Sequence, residues 1–224
     1  VGCGRIAPFH ADGINTAPSA ELVAVCDINE EKAKAFALSH GLNKWYTNAD
    51  KMFEDEKPDV CCVCVPSGVH HEIAITAAKH KVNVLCEKPL DVKKEHMFEM
   101  INACEQNGVK LGAIFQRRTY QAAQETKKAI ESGAFGKITI GSARLYFYRD
   151  QEYYDSGEWR GTWELDGGGA LMNQGVHGVD MIAWLMGGVK SVKADCKRLV
   201  WKTEVEDTAV ITVEYKNGAI GTIE

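Results

Sequence analysis

The chain has 224 residues, of which 45% are hydrophobic and 25% are charged, a composition typical of one large globular domain or two modest ones. Its net charge of −5 excludes the basic surface that recruits nucleic acid. No run approaches the roughly 20 apolar residues that a membrane span needs, and no signal peptide is recognisable. The eight cysteines lie mostly inside apolar runs, which predicts reduced, buried thiols and a cytoplasmic location.

One cysteine pair, Cys61 and Cys64, has the spacing of a metal or redox motif. It lies within the β-like run Val60–Val65, with no second pair of the same spacing and no nearby turn. Structural zinc sites need further ligands and a turn that wraps around the ion. We therefore predict no metal site.

A glycine-rich turn opens the chain, since Gly2-Cys3-Gly4-Arg5-Ile6-Ala7 fits the pattern G-x-G-x-x-A. The first glycine permits a tight turn, the second lets the backbone approach a pyrophosphate, and the small Ala7 lets the next helix pack on its strand. That helix, predicted from Ile6 to Thr16, points its free N–H groups at the phosphates. The residues predicted to contact a dinucleotide are Gly2, Gly4, Arg5 and Ile6.

An acidic residue ends the next predicted strand. The apolar run Glu21–Cys26 is followed by Asp27, about 20 residues after the glycines, where a carboxylate binds the ribose 2′-hydroxyl. Because a carboxylate repels a 2′-phosphate, Asp27 predicts NAD rather than NADP. The alternative role of a helix cap suits Asn29 better, because Asn29 directly precedes two glutamates.

Strands and helices alternate through the rest of the first half. The predicted helices are Glu30–His40, Asn48–Phe53, Val69–His80 and Lys93–Asn107, and the predicted strands are Lys44–Tyr46, Asp59–Val65, the run ending at Cys86, and Val109–Phe115. This alternation predicts a doubly wound parallel sheet, whose ligands bind at the carboxyl ends of the strands. Gln116 follows the last of these strands and is predicted to contact the cofactor. Arg117 and Arg118 are either a solvated exit turn or a substrate clamp.

The stretch Val84-Leu85-Cys86-Glu87-Lys88-Pro89 indicates a buried strand that ends on two opposite charges and a proline. Pro89 fixes its own φ and pushes Lys88 into an extended conformation, so this lysine is held stiffly. On this stretch alone, a solvated ion pair and a functional lysine explain the residues equally well. The glycine turn and Asp27, predicted on the same edge of the sheet, favour the functional lysine.

The pattern changes after Thr119. A helix to Ser132 is followed by a predicted half-exposed strand, Lys137–Tyr148, and a loop, Arg149–Trp163, that is rich in tryptophan and tyrosine. Within this loop, Arg160 and Trp163 are candidate substrate contacts, with a structural loop as the alternative.

The last predicted elements form an antiparallel sheet. Strand-like runs cover Ser191–Trp201, Asp207–Tyr215 and Ala219 to the end, with a tight hairpin at Asn217-Gly218. We therefore predict an α/β domain with a parallel sheet over residues 1–118 and an α+β domain with an open, mostly antiparallel sheet over residues 119–224. Both ends fall within strand-like sequence, so we expect a fragment of a longer protein.

The segment Gly167–Asp180 predicts a helix with three polar residues. Asn173 and His177 are four apart and share one helix face. Asp180 can hydrogen-bond an imidazole nitrogen of His177 and fix its tautomer. A lone helical histidine is more often structural. A catalytic role is favoured by the flanking glycines, which would let a ligand approach, by the amide one turn earlier, and by the tryptophan-rich loop upstream.

With these motifs the chain resembles the Gfo/Idh/MocA oxidoreductases, the family of glucose-fructose oxidoreductase and inositol dehydrogenase. The motifs are the Gly2–Ala7 turn, Asp27, Pro66–His70, Glu87-Lys88-Pro89 and Gly167–Asp180. The resemblance implies a Rossmann domain followed by an α+β domain whose open sheet often forms the oligomer interface. It also implies oxidation or reduction of a secondary alcohol on a sugar, cyclitol or nucleotide sugar with NAD(P).

The resemblance further implies residue roles. Lys88 would be the catalytic lysine, which touches the nicotinamide ribose and the substrate hydroxyl, and His177 would be the acid/base. Asn173 stands where many members carry aspartate, and an amide can orient a hydroxyl but cannot carry a proton. The residues implied beside the cofactor are Pro66, Ser67, His70, Glu87 and Lys88.

Two other functions stay open from the sequence. An NAD-using glycosidase would oxidise one carbon transiently and eliminate the leaving group, so it would cleave a glycoside without net NADH. A non-catalytic NAD-binding regulator would keep the fold, although Lys88 and His177 argue against it. We expect a small sugar or cyclitol as substrate and a homo-oligomer formed through the C-terminal sheet.

Overall fold

The computed structural model describes residues 1–224 and divides into two compact units, residues 1–114 and 115–224. The sequence placed this boundary after residue 118. The first unit contains, in chain order, α1 (Ala7–Thr16), β1 (Val25–Cys26), α2 (Glu30–Ser39), β2 (Trp45–Tyr46), α3 (Ala49–Glu56), β3 (Val60–Val63), α4 (His70–Lys79), β4 (Asn83–Cys86), α5 (Lys94–Asn107) and β5 (Leu111–Ala113).

Parallel strands form the centre of the first unit. β1 pairs with β2, and β4 lies between β3 and β5, each pair being parallel. The first two residues join these groups, because Gly2 N–H donates to the carbonyl of Cys26 at 2.7 Å and Cys64 N–H donates to the carbonyl of Val1 at 2.8 Å. The predicted doubly wound parallel sheet is therefore confirmed.

Helices cover this sheet and close an apolar core. Val63, Cys86 and Met100 are fully buried, and Phe53 of α3 joins them. Burying a side chain of this size stabilises the fold by about 1.5–3 kcal/mol. The core therefore fixes the strand ends, where the candidate cofactor residues lie.

The glycine turn depends on Gly2. Its φ is +90°, and a Cβ there would lie 2.6 Å from the backbone carbon of Cys64. The neighbouring strand backbone cannot move aside, so we expect Gly2→Ala to lower the free energy of unfolding by about 2–5 kcal/mol. Denaturant unfolding measures this. Gly4→Ala is the control, because its Cβ would meet no atom within 4 Å. Equal stability of the two variants would contradict the expectation.

The second unit combines helices with an antiparallel sheet. Its elements are α6 (Gln121–Glu131), α7 (Gln151–Asp155), a π-helical turn (Leu171–Gly175), α8 (Val176–Leu185), β6 (Val189–Lys197), β7 (Thr208–Tyr215) and β8 (Ile220–Ile223). β6, β7 and β8 are antiparallel neighbours, with a turn at Asn217-Gly218 in which Gly218 has a φ of +85°. This confirms the predicted antiparallel sheet.

The predicted strand Lys137–Tyr148 forms only a short parallel edge to this sheet. Isolated bridges join Ile140 to Ile220 and Ala143 to Ile223 in parallel orientation. The hydrogen bond from Leu145 N–H to the carbonyl of Glu224 extends the contact. No helix in the structure combines the length and the apolar character needed to cross a membrane.

Candidate active site

The glycine turn of the first unit leaves space for an anion. The backbone at Gly4 borders open space, and Arg5 beside it is exposed. Ile6 occupies the N-cap position of α1, where its apolar side chain makes no capping hydrogen bond. The first turn of α1 therefore lacks a side-chain cap, which suits the binding of a pyrophosphate.

Asp27 lies beside this turn. Its carboxylate accepts hydrogen bonds from the backbone N–H groups of Cys3 and Asn29, both at 2.9 Å. The bond to Cys3 fixes the carboxylate next to the glycines. Asn29 caps α2, as predicted, by accepting from the N–H of Lys32 at 3.0 Å. Asp27 is therefore fixed beside the glycine turn, and its role as a ribose-binding carboxylate stays a prediction.

His70 supports the strand ends rather than facing a ligand. Its side chain is 1% exposed, its Nε2 lies 2.9 Å from the carbonyl oxygen of Val65, and its Nδ1 lies 2.9 Å from that of Pro89. Burial lowers the pKa of His70, although these carbonyls favour the charged form. The imidazole thus ties the chain after β3 to the chain after β4. In the chain after β3, Ser67 is buried at the start of a 3₁₀ turn that follows Pro66.

Glu87 and His10 form a largely buried ion pair that the sequence did not predict. Oε1 of Glu87 lies 2.9 Å from Nε2 of His10 on α1, and its Oε2 accepts from the N–H of Lys88 at 3.1 Å. Burial raises the pKa of Glu87, but these hydrogen bonds and positive charges outweigh it, so the pKa is lowered. Hydrogen bonds to Cys62, Cys64 and Glu87 raise the pKa of His10.

This pair anchors the residue before Lys88. Lys88 itself is half-buried, directly follows β4 and precedes Pro89 through a cis peptide bond. Glu87 therefore fixes the backbone of Lys88 on one side, and the contact of His70 with Pro89 fixes it on the other. The structure thus places Glu87, Lys88 and His70 together at one strand end.

We expect His10→Ala to lower the free energy of unfolding by about 3–5 kcal/mol, because Glu87 would stay buried without its partner. The loss should be largest between about pH 4.5 and 6.5. Above this window the stabilisation fades as pH rises through the raised pKa of His10. Below it the stabilisation fades as pH falls through the lowered pKa of Glu87. Denaturant unfolding across pH measures this, and a loss independent of pH would contradict the charged pair. His10→Ala combined with Glu87→Gln should recover part of the stability.

In the second unit, His177 lies in the first turn of α8 and is 5% exposed. A π-helical turn, Leu171–Gly175, directly precedes α8, whereas the sequence predicted one regular helix. The prediction of one regular helix was therefore wrong, while the shared face of Asn173 and His177 stays a prediction. Turns of this kind occur frequently at functional sites.

Two glycines next to this helix lie so close to neighbouring residues that a Cβ would not fit. A Cβ on Gly169 would lie 1.7 Å from the carbonyl oxygen of Glu206, and a Cβ on Gly178 would lie 2.2 Å from Cδ1 of Leu145. The expectation that these glycines open a path for a ligand was therefore wrong. The buried carboxylate of Glu206 instead accepts from the N–H groups of Gly169 and Leu171, at 3.0 and 2.9 Å.

A cluster of arginines and tyrosine lies beside Asn173. The hydroxyl of Tyr153 donates to Oδ1 of Asn173 at 3.1 Å. The guanidinium carbons of Arg160 and Arg149 lie 4.3 and 4.8 Å from the centre of the Tyr153 ring. Nε of each arginine is buried without a hydrogen-bond partner. Buried donors left without partners are costly, so these two arginines suit an anionic ligand. Trp163 of the same loop is exposed, and its backbone N–H donates to Glu204 at 3.0 Å.

Asp180 pairs with Arg118, a partner that the sequence did not predict. Nε of Arg118 donates to one carboxylate oxygen at 2.8 Å, and the second guanidinium nitrogen contacts the other oxygen. The pairing raises the pKa of Arg118, whose guanidinium carbon also lies 5.6 Å from the centre of the Trp184 ring. Arg118 is therefore held in an ion pair, although its side chain is 40% exposed, and its role as a substrate clamp stays a prediction. Gln116 begins the 3₁₀ turn that carries it and is exposed.

Both units match family models. Residues 1–115 match the oxidoreductase family with an NAD-binding Rossmann fold, and residues 123–224 match the GFO/IDH/MocA C-terminal domain. The chain therefore belongs to the GFO/IDH/MocA oxidoreductase family, and its first unit is an NAD-binding Rossmann domain. The family predicted from the sequence motifs is confirmed.

Relatives of the chain act on sugars and cyclitols. One similar structure is that of the WlbA dehydrogenase from Bordetella pertussis in complex with NADH and UDP-GlcNAcA. Its sequence is 39% identical, and its TM-score is 0.95, with 99% of this chain and 69% of that chain covered. The myo-inositol 2-dehydrogenase of Thermotoga maritima is 31% identical over 100% of this chain and 66% of its own length. The D-glucoside 3-dehydrogenase of Escherichia coli is 30% identical over 98% of this chain and 67% of its own length. The chain thus spans about two thirds of the length of these relatives.

Proposed function

We propose that the full-length protein is an NAD-dependent dehydrogenase that transfers a hydride between a secondary alcohol of a nucleotide sugar and the nicotinamide. The observation that carries the substrate class is the cluster of Arg149, Arg160 and Tyr153 beside Asn173, whose two buried Nε–H groups lack partners. A nucleotide sugar supplies the anionic groups that such donors bind. The complex of the similar WlbA dehydrogenase with UDP-GlcNAcA supports the same class.

The cofactor site would use the residues of the first unit. The uncapped first turn of α1 would face the pyrophosphate. Asp27, held beside the turn by Cys3, would bind the ribose hydroxyls and disfavour a 2′-phosphate. The residues proposed beside the nicotinamide half are Pro66, Ser67, Glu87, Lys88 and Gln116. His70 would act through the backbone that it holds.

The chemistry requires a hydride acceptor and a proton acceptor. Bound NAD supplies the hydride acceptor. His177 would take the hydroxyl proton, a task that suits an imidazole near neutral pH. Lys88 would stabilise the developing alkoxide with its ammonium group. Asn173, whose amide is oriented by Tyr153, would align the hydroxyl but cannot carry a proton. Proton transfer would therefore depend on His177 and Lys88.

Arg160→Ala should raise the KM for a nucleotide sugar about 10–100-fold, because it removes a charge-assisted contact worth roughly 1.5–3 kcal/mol. The KM for an uncharged cyclitol should stay unchanged. Steady-state kinetics with both substrates measure this, with Arg144→Ala as the matched control, since Arg144 is exposed. Equal effects on charged and uncharged substrates would contradict an anion-binding role.

The sheet of the second unit is the proposed oligomer interface. Val210 of β7 and Ile220 of β8 are exposed on the open face of this sheet, and Ile140, which bridges to Ile220, is exposed as well. Exposed apolar surface on a sheet commonly marks an interaction site. Light scattering should show an oligomer for the full-length protein and a smaller species for Val210→Asp. The cytoplasmic location remains a proposal supported by the eight free cysteines.

A further inference from the structure

A largely buried histidine joins the helix after the glycine turn to the strand end that carries Lys88. His10 lies near the start of α1, and Glu87 directly follows β4. Nε2 of His10 lies 2.9 Å from Oε1 of Glu87, and each side chain is 12% exposed. His10 is not among the residues proposed to touch the cofactor or the substrate, so its place beside Lys88 has to be explained in another way.

Glu87 carries the contact from His10 on to Lys88. Its two carboxylate oxygens face different segments, since Oε1 meets His10 and Oε2 accepts the backbone N–H of Lys88 at 3.1 Å. The backbone N–H of Glu87 donates to the carbonyl of Val63 in β3 at 3.0 Å, which fixes the residue to the sheet. Because the glutamate side chain has several rotatable bonds, the contact with His10 is what holds its second oxygen against Lys88.

Stability alone explains this pair poorly. A buried ion pair loses much of its attraction to the cost of desolvation, and apolar residues of similar volume commonly stabilise a fold as well or better. Two residues back along the same strands, Cys62 of β3 pairs with Leu85 of β4, so an apolar pair would also suit this face of the sheet. What the ion pair adds is strong, directional hydrogen bonds between defined atoms.

We propose that His10 is a positioning residue for the hydride transfer, which acts through Glu87 to hold Lys88 in register with the cofactor. This inference rests on the proposed function, in which the start of α1 faces the pyrophosphate and Lys88 meets the alkoxide. One helix then fixes both the dinucleotide and, through a single ion pair, the lysine. Misplacing a catalytic group by about 1 Å can slow a reaction about 100-fold, although no reacting group is removed.

Steady-state kinetics of the full-length protein with NAD and UDP-GlcNAcA test the role of His10. His10→Leu removes the hydrogen bond to Glu87 and should lower kcat about 10–100-fold. The dissociation constant of NAD and the KM for the sugar should change less than about 3-fold, because His10 contacts neither ligand. His10→Gln keeps a hydrogen-bond donor and should recover most of kcat. The matched control is His80→Leu, which breaks another histidine–carboxylate contact of the first unit, with Asp50 at 2.8 Å.

Titration with NAD separates positioning from a role in folding. It counts the folded cofactor sites, so kcat can be expressed per site. If His10 only supported the fold, His10→Leu would lose NAD sites while the remaining sites kept their normal rate, and this result would overturn the proposal. Equal losses of kcat in His10→Leu and His10→Gln would also overturn it, because the hydrogen bond to Glu87 would then not be what matters.

Hydrogen exchange at the backbone amide of Lys88 tests the same link without turnover. In the protein saturated with NAD, this amide should exchange at least about 10-fold faster in His10→Leu. The amide of Val84, which donates to the carbonyl of Lys110 at 2.8 Å, is the internal control and should change much less. An unchanged rate at Lys88 would overturn the proposal whether or not the protein is active. Faster exchange in a protein that oxidises no substrate would support the link and contradict only the proposed function.

Discussion

Replacing Lys88 by alanine is expected to lower kcat by about 10²–10⁴-fold, the range that one positioned acid–base or electrostatic group contributes. The reason is the rigidity of its surroundings. The ion pair of Glu87 with His10 fixes the residue before it, and the contact of His70 with Pro89 fixes the residue after it. The backbone of Lys88 is thus fixed at the strand end, so its ammonium group starts from a defined position when it meets an alkoxide.

The experiment separates chemistry from cofactor binding. The dissociation constant of NAD, measured by titration, should change much less than kcat in the Lys88→Ala variant. Lys93→Ala is the matched control, because that lysine is exposed in the same connection. If the variant lost NAD affinity but kept its turnover with saturating NAD, Lys88 would be only a cofactor contact.

Replacing His177 by alanine is expected to lower kcat by a similar factor, about 10²–10⁴-fold, while NAD still binds. His177 is the residue proposed to take the hydroxyl proton, because the amide of Asn173 cannot. A histidine base makes kcat/KM fall at acidic pH, where the imidazole is protonated, and the variant should lose this fall.

The control for His177 is His40→Ala, which removes an imidazole of the first unit that hydrogen-bonds the carbonyl of Phe36. It should leave the pH profile unchanged. Asn173→Asp offers a further comparison, since a carboxylate at this position could accept a proton and an amide cannot. Near-normal turnover of His177→Ala would show that another group takes the proton.

The sequence predicted the architecture well, because the patterns that carry it are local. Alternating apolar strands and helices indicated a parallel sheet, and the glycine turn with Asp27 indicated where that sheet binds a dinucleotide. The hairpin at Asn217-Gly218 was equally local. The parallel contact of Ile140 with Ile220 was missed, because pairing between distant segments leaves no periodic signal.

The details of the site depended on contacts that no spacing reveals. His10 and Glu87 are 77 residues apart, and Arg118 and Asp180 are 62 residues apart. The π-helical turn Leu171–Gly175 was missed because the apolar pattern around it also fits a regular helix. The one available signal was the run of glycines at 167–169, which was interpreted as space for a ligand instead of close packing against Glu206.

A single-turnover reaction tests the central claim most directly. The full-length protein, in excess and saturated with NAD, is mixed with UDP-GlcNAcA, the ligand of its structural relative, and the nicotinamide absorbance is recorded. A dehydrogenase should produce reduced nicotinamide and the oxidised sugar in equal amounts, and replacing NAD by NADP should slow the reaction strongly. Cleavage of a glycosidic bond without net NADH, or no reduction with any nucleotide sugar, sugar or cyclitol, would contradict the proposed function.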